Sequence, residues 1–204
     1  MTTKKLLNVG GQTKSLPIPE LFSGWQHDLL DIDPRGNPDI LCDARELGRL
    51  PPGTYDAVLC AHNLEHYFQH DVLRVLAGFW HVLKPDGFAL VIAPDMVAVM
   101  QAVVAKQLDI EDVLYQCEAG PITVRDVIYG YGPEIERSGC DFFAHKTGFS
   151  KNSLVRMLEA ARFSEVVGKT ENFNAVAVAF KQPANDQQRS LFGLPPQAGG
   201  RHSV

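Results

Sequence analysis

The chain has 204 residues, 45% of them hydrophobic and 21% charged, with a net charge of −5 at neutral pH. That length and apolar share suit one domain with a substantial core, and the acidic balance disfavours nucleic acid as a partner. No run approaches the ~18 apolar residues of a membrane span, Leu6-Leu7 after Lys4-Lys5 are too short for a signal-peptide core, and Cys42, Cys60, Cys117 and Cys140 form no C-x-x-C pair. The expectation is a cytoplasmic protein with reduced thiols and no membrane association.

Leu6-Leu7-Asn8-Val9 is a short apolar run ending in Gly10-Gly11, which predicts a buried strand and a tight turn. Pro17, Pro19 and Gly24 then interrupt the chain, leaving a short turn at Glu20-Leu21-Phe22. Leu29 to Asp33 is a second strand tipped by an acid, Asp39 to Ala44 a third, and Tyr55 to Cys60 a fourth that ends at Ala61-His62-Asn63. From Asp71 the period changes: Val72, Leu73, Val75, Leu76, Phe79, Trp80, Val82 and Leu83 are spaced for one helical face, stopped by Pro85-Asp86-Gly87. Phe88 to Ala93 is a fifth, wholly apolar strand ending at Pro94-Asp95. Strands too apolar to alternate, separated by a helix, predict a parallel α/β sheet covered on both faces.

Met96 to Lys106 reads as an amphipathic helix and Ile110 to Cys117 as a second short one. Residues 118–149 are irregular, and such a stretch inside a compact domain commonly forms a lid or binding loop. Ser150 is positioned to cap a last helix with Leu154, Val155, Leu158 and Ala161 on its buried face. Phe163 to Gly168 and Asn174 to Phe180 predict a closing hairpin. The domain thus spans 1–182 with a lid over 96–149. The tail, 183–204, is rich in Pro, Gln, Gly and Ser and is expected to be mobile or to pack as an arm on a neighbour, which leaves a homo-oligomer open.

In an open parallel sheet, ligands bind beyond the carboxyl ends of the strands. The first four strands bring Gly10-Gly11, Asp33, Asp43-Ala44 and His62-Asn63 to that edge. This reads as a nucleoside pocket, with Gly10 and Gly11 under the ligand tail and Asp33 accepting from ribose hydroxyls. Asp43 would take the adenine amine, Ile32 and Ala44 would lie against the ring, and His62 would contact the same ligand. No lysine-bearing phosphate cradle accompanies the glycines, which favours a cofactor without pyrophosphate.

Leu6-Leu7-Asn8-Val9-Gly10-Gly11, Asp31-Ile32-Asp33, Cys42-Asp43-Ala44, Tyr55-Asp56-Ala57-Val58, Asn63-Leu64-Glu65-His66 and His81-Val82-Leu83-Lys84-Pro85-Asp86-Gly87 occur in a characteristic order and spacing. In them the chain resembles a class I S-adenosylmethionine-dependent methyltransferase of the small bacterial kind, over roughly Leu6 to Lys181. The resemblance implies a Rossmann-like, doubly wound, mostly parallel seven-stranded sheet whose last strand, Asn174 to Phe180, runs antiparallel between its neighbours. It also implies S-adenosylmethionine as cofactor and a methyl acceptor, expected to be a small molecule. The family's glycine loop usually reads glycine, any residue, glycine, whereas here Gln12 stands in the second glycine's place.

Methyl transfer from a sulfonium is an in-line displacement, so the protein has mainly to align the nucleophile and exclude water. A general base is needed only for an acceptor that arrives protonated, and Asp95, Tyr129, His145 and, beside the pocket, His62 are the candidates. A fold that binds without catalysis is the alternative suggested by the altered glycine loop. His62-Asn63-Leu64-Glu65-His66 also matches the H-x-x-E-H zinc-hydrolase motif. Because His62 directly follows a strand rather than sharing a helix with His66, no metal is expected there, and Glu65 and His66 are read as fixing the loop or facing the acceptor.

Overall fold

The computed structural model describes residues 3–117 and 120–196. In chain order its elements are β1 (Lys5–Val9), β2 (Gln26–Asp31), β3 (Ile40–Leu41), β4 (Tyr55–Ala61), α1 (Gln69–Val82), β5 (Leu83–Pro94), α2 (Met96–Lys106) and β6 (Val113–Cys117). There follow β7 (Gly120–Thr123), α3 (Val124–Tyr129), α4 (Gly132–Ser138), α5 (Lys151–Ala160), β8 (Glu165–Glu171), β9 (Asn174–Phe180) and α6 (Asp186–Phe192). Seven strands form one sheet in the order β3-β2-β1-β4-β5-β9-β8, and β6 and β7 form a separate hairpin. The strands from β1 to β5 pair in parallel, while β9 runs antiparallel to both β5 and β8. This is the expected doubly wound α/β architecture, with its one reversed strand inside the sheet.

Successive side chains of a strand point to opposite faces, and here both faces are buried. Leu7 and Val9 of β1, Val58 and Cys60 of β4, and Ala89, Val91 and Ala93 of β5 meet the apolar sides of α1 and α5. Leu6, Ala57, Leu59, Phe88 and Leu90 point the other way, toward Phe22, Trp25, Phe180 and Phe192. A third cluster, built on Val99, Leu114, Ile122, Val124 and Val127, gives the lid a core of its own. Among the described residues no helix is long and apolar enough to cross a membrane.

Five expectations are corrected. β5 begins at Leu83, directly after α1, and takes in Pro85-Asp86-Gly87, because Leu83 already pairs with Tyr55 of β4 instead of extending the helix. β2 starts at Gln26 and stops at Asp31, two residues before Asp33, because Asp33 already caps the 3-10 turn Pro34–Gly36. β3 keeps only two residues of the expected run. The stretch 110–117 is not helical: Val113–Cys117 pairs antiparallel with Gly120–Thr123, an outcome that a short apolar run does not distinguish from a helix turn. Finally, residues 183–196 are not a loose arm. Asn185 caps α6, Phe192 packs against Phe88 and Phe180, and buried Arg189 makes a forked pair with Glu165 of β8 at 2.8 Å to each oxygen. The rest of the expected tail, 197–204, lies outside the described residues, as do Glu118 and Ala119.

Candidate functional site

The carboxyl ends of β1, β2 and β4 open on a cleft of about 950 Å³, walled on the far side by the lid. The turn after β1 passes tightly against its neighbours. Gly10 has φ +72°, and any Cβ there would collide with the Asn63 side chain; a Cβ at Gly11 would collide with Asn8. Both glycines border the cleft, so the absence of side chains lets the main chain approach a ligand. Gln12 is held at φ +61°, a left-handed conformation that suits glycine better. Its N–H donates to Asp31 Oδ2 at 3.0 Å, and the N–H of Asp33 donates to Asp31 Oδ1 at 2.9 Å.

Asp31, at the tip of β2, borders the cleft, and each of its oxygens keeps acceptor capacity beyond the one main-chain donor it holds. Asp33 does not border it: its oxygens accept from the main chain and guanidinium of Arg35, at 2.5–3.0 Å. These Arg35 bonds hold the Asp33 carboxyl below the usual carboxylate range. Ile32 borders the cleft and is 44% exposed. Asp43 borders it too, although Arg45 occupies much of its carboxylate. Ala44 is buried in the main core beneath and does not reach the cleft. His62, at φ +50°, exposes half its side chain to the cleft. Asn63 was missed as a side chain in its own right: its Oδ1 is buried, borders the cleft and has no hydrogen-bond partner among the described residues.

Of the four expected bases, His62 and His145 border the cleft, whereas Asp95 and Tyr129 do not. Asp95 is 3% exposed and fully employed as a brace: it accepts from Val97 and Ala98 at the start of α2, from Lys151 at the start of α5, and from the Thr170 hydroxyl at 2.7 Å. Tyr129 is 57% exposed outside the cleft, while Tyr115 and Tyr131 line it.

His145 meets the turn that carries Glu65 and His66. The N–H groups of Lys146 and Thr147 donate to Glu65 O at 2.8 and 3.2 Å, and the N–H of His145 donates to Tyr129 O at 3.0 Å. Gly130 makes this approach feasible, since a Cβ there would lie 2.5 Å from Phe143 O. Glu65 and His66 both border the cleft. The Glu65 carboxylate is 1% exposed, with neither oxygen hydrogen-bonded among the described residues; His62 Nδ1 and His145 Nε2 stand at 3.6 and 3.9 Å. Burial pushes its pKa up, but the surrounding imidazoles of His62, His66 and His145 outweigh that and leave it below the ordinary value. Burial likewise lowers the pKa of His145, against the pull of Glu65.

Residues 29–91, less than half of the chain, match the family described as methyltransferase domain. No curated protein matches the chain. Among solved structures, the chain is similar to an S-adenosylmethionine-dependent methyltransferase from Archaeoglobus fulgidus, at 15% identity over 88% of this chain and 86% of that one, with a TM-score of 0.57. It is also similar to 1,6-didemethyltoxoflavin-N1-methyltransferase from Burkholderia thailandensis, solved with 1,6-didemethyltoxoflavin and S-adenosylhomocysteine. That likeness has 17% identity over 88% of this chain and 72% of the other, with a TM-score of 0.54. A methyltransferase from Methanosarcina mazei is matched at 13% identity over 88% and 93% of the two chains, with a TM-score of 0.54. At such identities the likeness establishes the fold.

Proposed function

We propose that this chain, which has the class I methyltransferase fold and matches the methyltransferase domain over 29–91, transfers a methyl group from S-adenosylmethionine to a small acceptor. The observation that carries the reading is the cleft edge formed by Gly10, Gly11, Asp31 and Ile32. Two side-chain-free residues, an acid with spare acceptor capacity and an exposed aliphatic residue stand together at the ends of β1 and β2. The Asn63 Oδ1 at the same edge, unpartnered among the described residues, fits a ligand that brings a donor. When bound, S-adenosylmethionine supplies an electrophilic methyl group on a sulfonium.

The chain's own residues divide the remaining work. Asp31 accepts from the ribose hydroxyls in place of Asp33, Ile32 packs against the adenine, and Asp43 accepts from its amine with the capacity that Arg45 leaves. Gly10 and Gly11 admit the tail. The acceptor end lies between Tyr115, Tyr131, Phe142, Phe143 and Phe173, all on the cleft wall, which suits a small ring-bearing or apolar acceptor. The lid excludes water there. If the acceptor arrives protonated, His145 Nε2 is placed to take its proton.

The reading is tested by incubating the purified chain with methyl-labelled S-adenosylmethionine and low-molecular-weight metabolite fractions. Label recovered in a small-molecule product, with stoichiometric S-adenosylhomocysteine, is the expected result. Cofactor binding without transfer to any fraction would instead favour a non-catalytic role.

A further inference from the structure

The Glu65–His66–His145 cluster brings three lone-pair groups to one place. The His66 ring contacts Ala144 O through Nδ1 at 3.2 Å, and the His145 ring contacts Val127 O through Nδ1 at 2.9 Å. A carbonyl oxygen can only accept, so in each neutral ring the proton sits on Nδ1 and Nε2 carries the lone pair. Anchoring one imidazole nitrogen on a backbone carbonyl is how proteins orient a metal-binding histidine. Glu65 adds a carboxylate that is 1% exposed and, among the described residues, unpartnered at both oxygens, which is costly unless a positive charge joins it. One donor atom from each of the three residues lies within 4.8 Å of the others, and all three residues border the cleft.

We infer that Glu65, His66 and His145 bind a divalent transition-metal ion of the zinc class, with its remaining coordination positions open to the cleft. Two imidazoles and one carboxylate make a donor set that suits zinc and its neighbours rather than magnesium or calcium, which prefer oxygen. Bonds of about 2.0–2.2 Å to one ion require the side chains to draw together by roughly 1 Å. His62 is not a ligand: its ring is 51% exposed and its Nδ1 already faces Glu65 at 3.6 Å. The set therefore differs from the H-x-x-E-H reading, replacing His62 with a histidine far along the chain. An ion at this position would hold an oxygen or sulfur atom of the acceptor and lower its pKa in place of proton uptake by His145. That use rests on the methyl-transfer reading, whereas metal binding itself does not.

The test titrates chelator-treated full-length protein with cobalt(II) chloride, followed by visible absorption, and with zinc chloride by calorimetry, both without S-adenosylmethionine. One ion per chain is expected, with affinity reduced more than about tenfold in His66→Ala, His145→Ala and Glu65→Gln and retained in His62→Ala. Circular dichroism of each variant establishes that it is folded, and a separate S-adenosylmethionine titration reports the cofactor edge independently. Folded wild-type protein that binds neither ion, or folded His66→Ala and His145→Ala variants that bind as tightly as wild type, would overturn the assignment.

Discussion

Two acids, two residues apart, are separated by what already occupies them. Asp31 presents oxygens with spare capacity to the cleft, whereas Asp33 is committed to Arg35 and caps a turn. Asp33→Ala is therefore expected to cost about 1 kcal/mol of stability, the value of a lost cap, and to leave cofactor affinity within about twofold. Chemical denaturation and calorimetry on the same preparation measure both. Gly10→Ala should be more damaging, because an alanine meets both the left-handed backbone and the Asn63 side chain. A loss of about 2 kcal/mol in unfolding free energy is expected, together with weakened ligand binding. A variant as stable as wild type would show that the turn yields more readily than its packing implies.

At the scale of elements, Asp95 ties α2, α5 and β8 together through four donors. Asp95→Ala should lower unfolding free energy by about 2–3 kcal/mol, since it removes a cap and strands buried donors. Phe192→Ala should cost about 2 kcal/mol by opening the aromatic contacts with Phe88 and Phe180, measurable in urea. No loss in that variant would mean that α6 lies on the sheet without supporting it. These elements also mark how far the sequence could be read. Periodicity located α1, α2 and α5 and the strands of the central sheet, because long amphipathic or wholly apolar segments have one way to bury themselves. It did not locate the end of β2, where the competing interaction is a side-chain cap, nor the helix at Asp186–Phe192, whose few apolar residues gain their value from a sheet face far away in sequence. At the cleft, residue types pointed to the edge where β1, β2 and β4 open. The choice between Asp31 and Asp33, and the union of Glu65 with His145, depended on tertiary contacts that spacing does not encode.

For the molecule as a whole, acid should be destabilising before any core is disturbed. The Asp33 carboxyl is lowered by its Arg35 bonds; at Asp43 and Asp126 burial acts upward but is outweighed by bonds to Arg45 and Thr123 respectively. A carboxyl whose pKa is lower in the folded than in the unfolded state contributes stability that is fully present above the unfolded value, about 4, and lost as pH falls through the folded one. Thermal unfolding should therefore shift little through these groups between pH 7 and about 5 and fall steeply below about 4. The cleft itself, assembled from the carboxyl ends of three parallel strands, is the central claim. Its most direct test is calorimetric titration of wild-type and Asp31→Ala protein with S-adenosylmethionine. Micromolar binding in the wild type that is lost in Asp31→Ala, with Asp33→Ala still binding, is the predicted result; folded wild-type protein that binds no S-adenosylmethionine would contradict it.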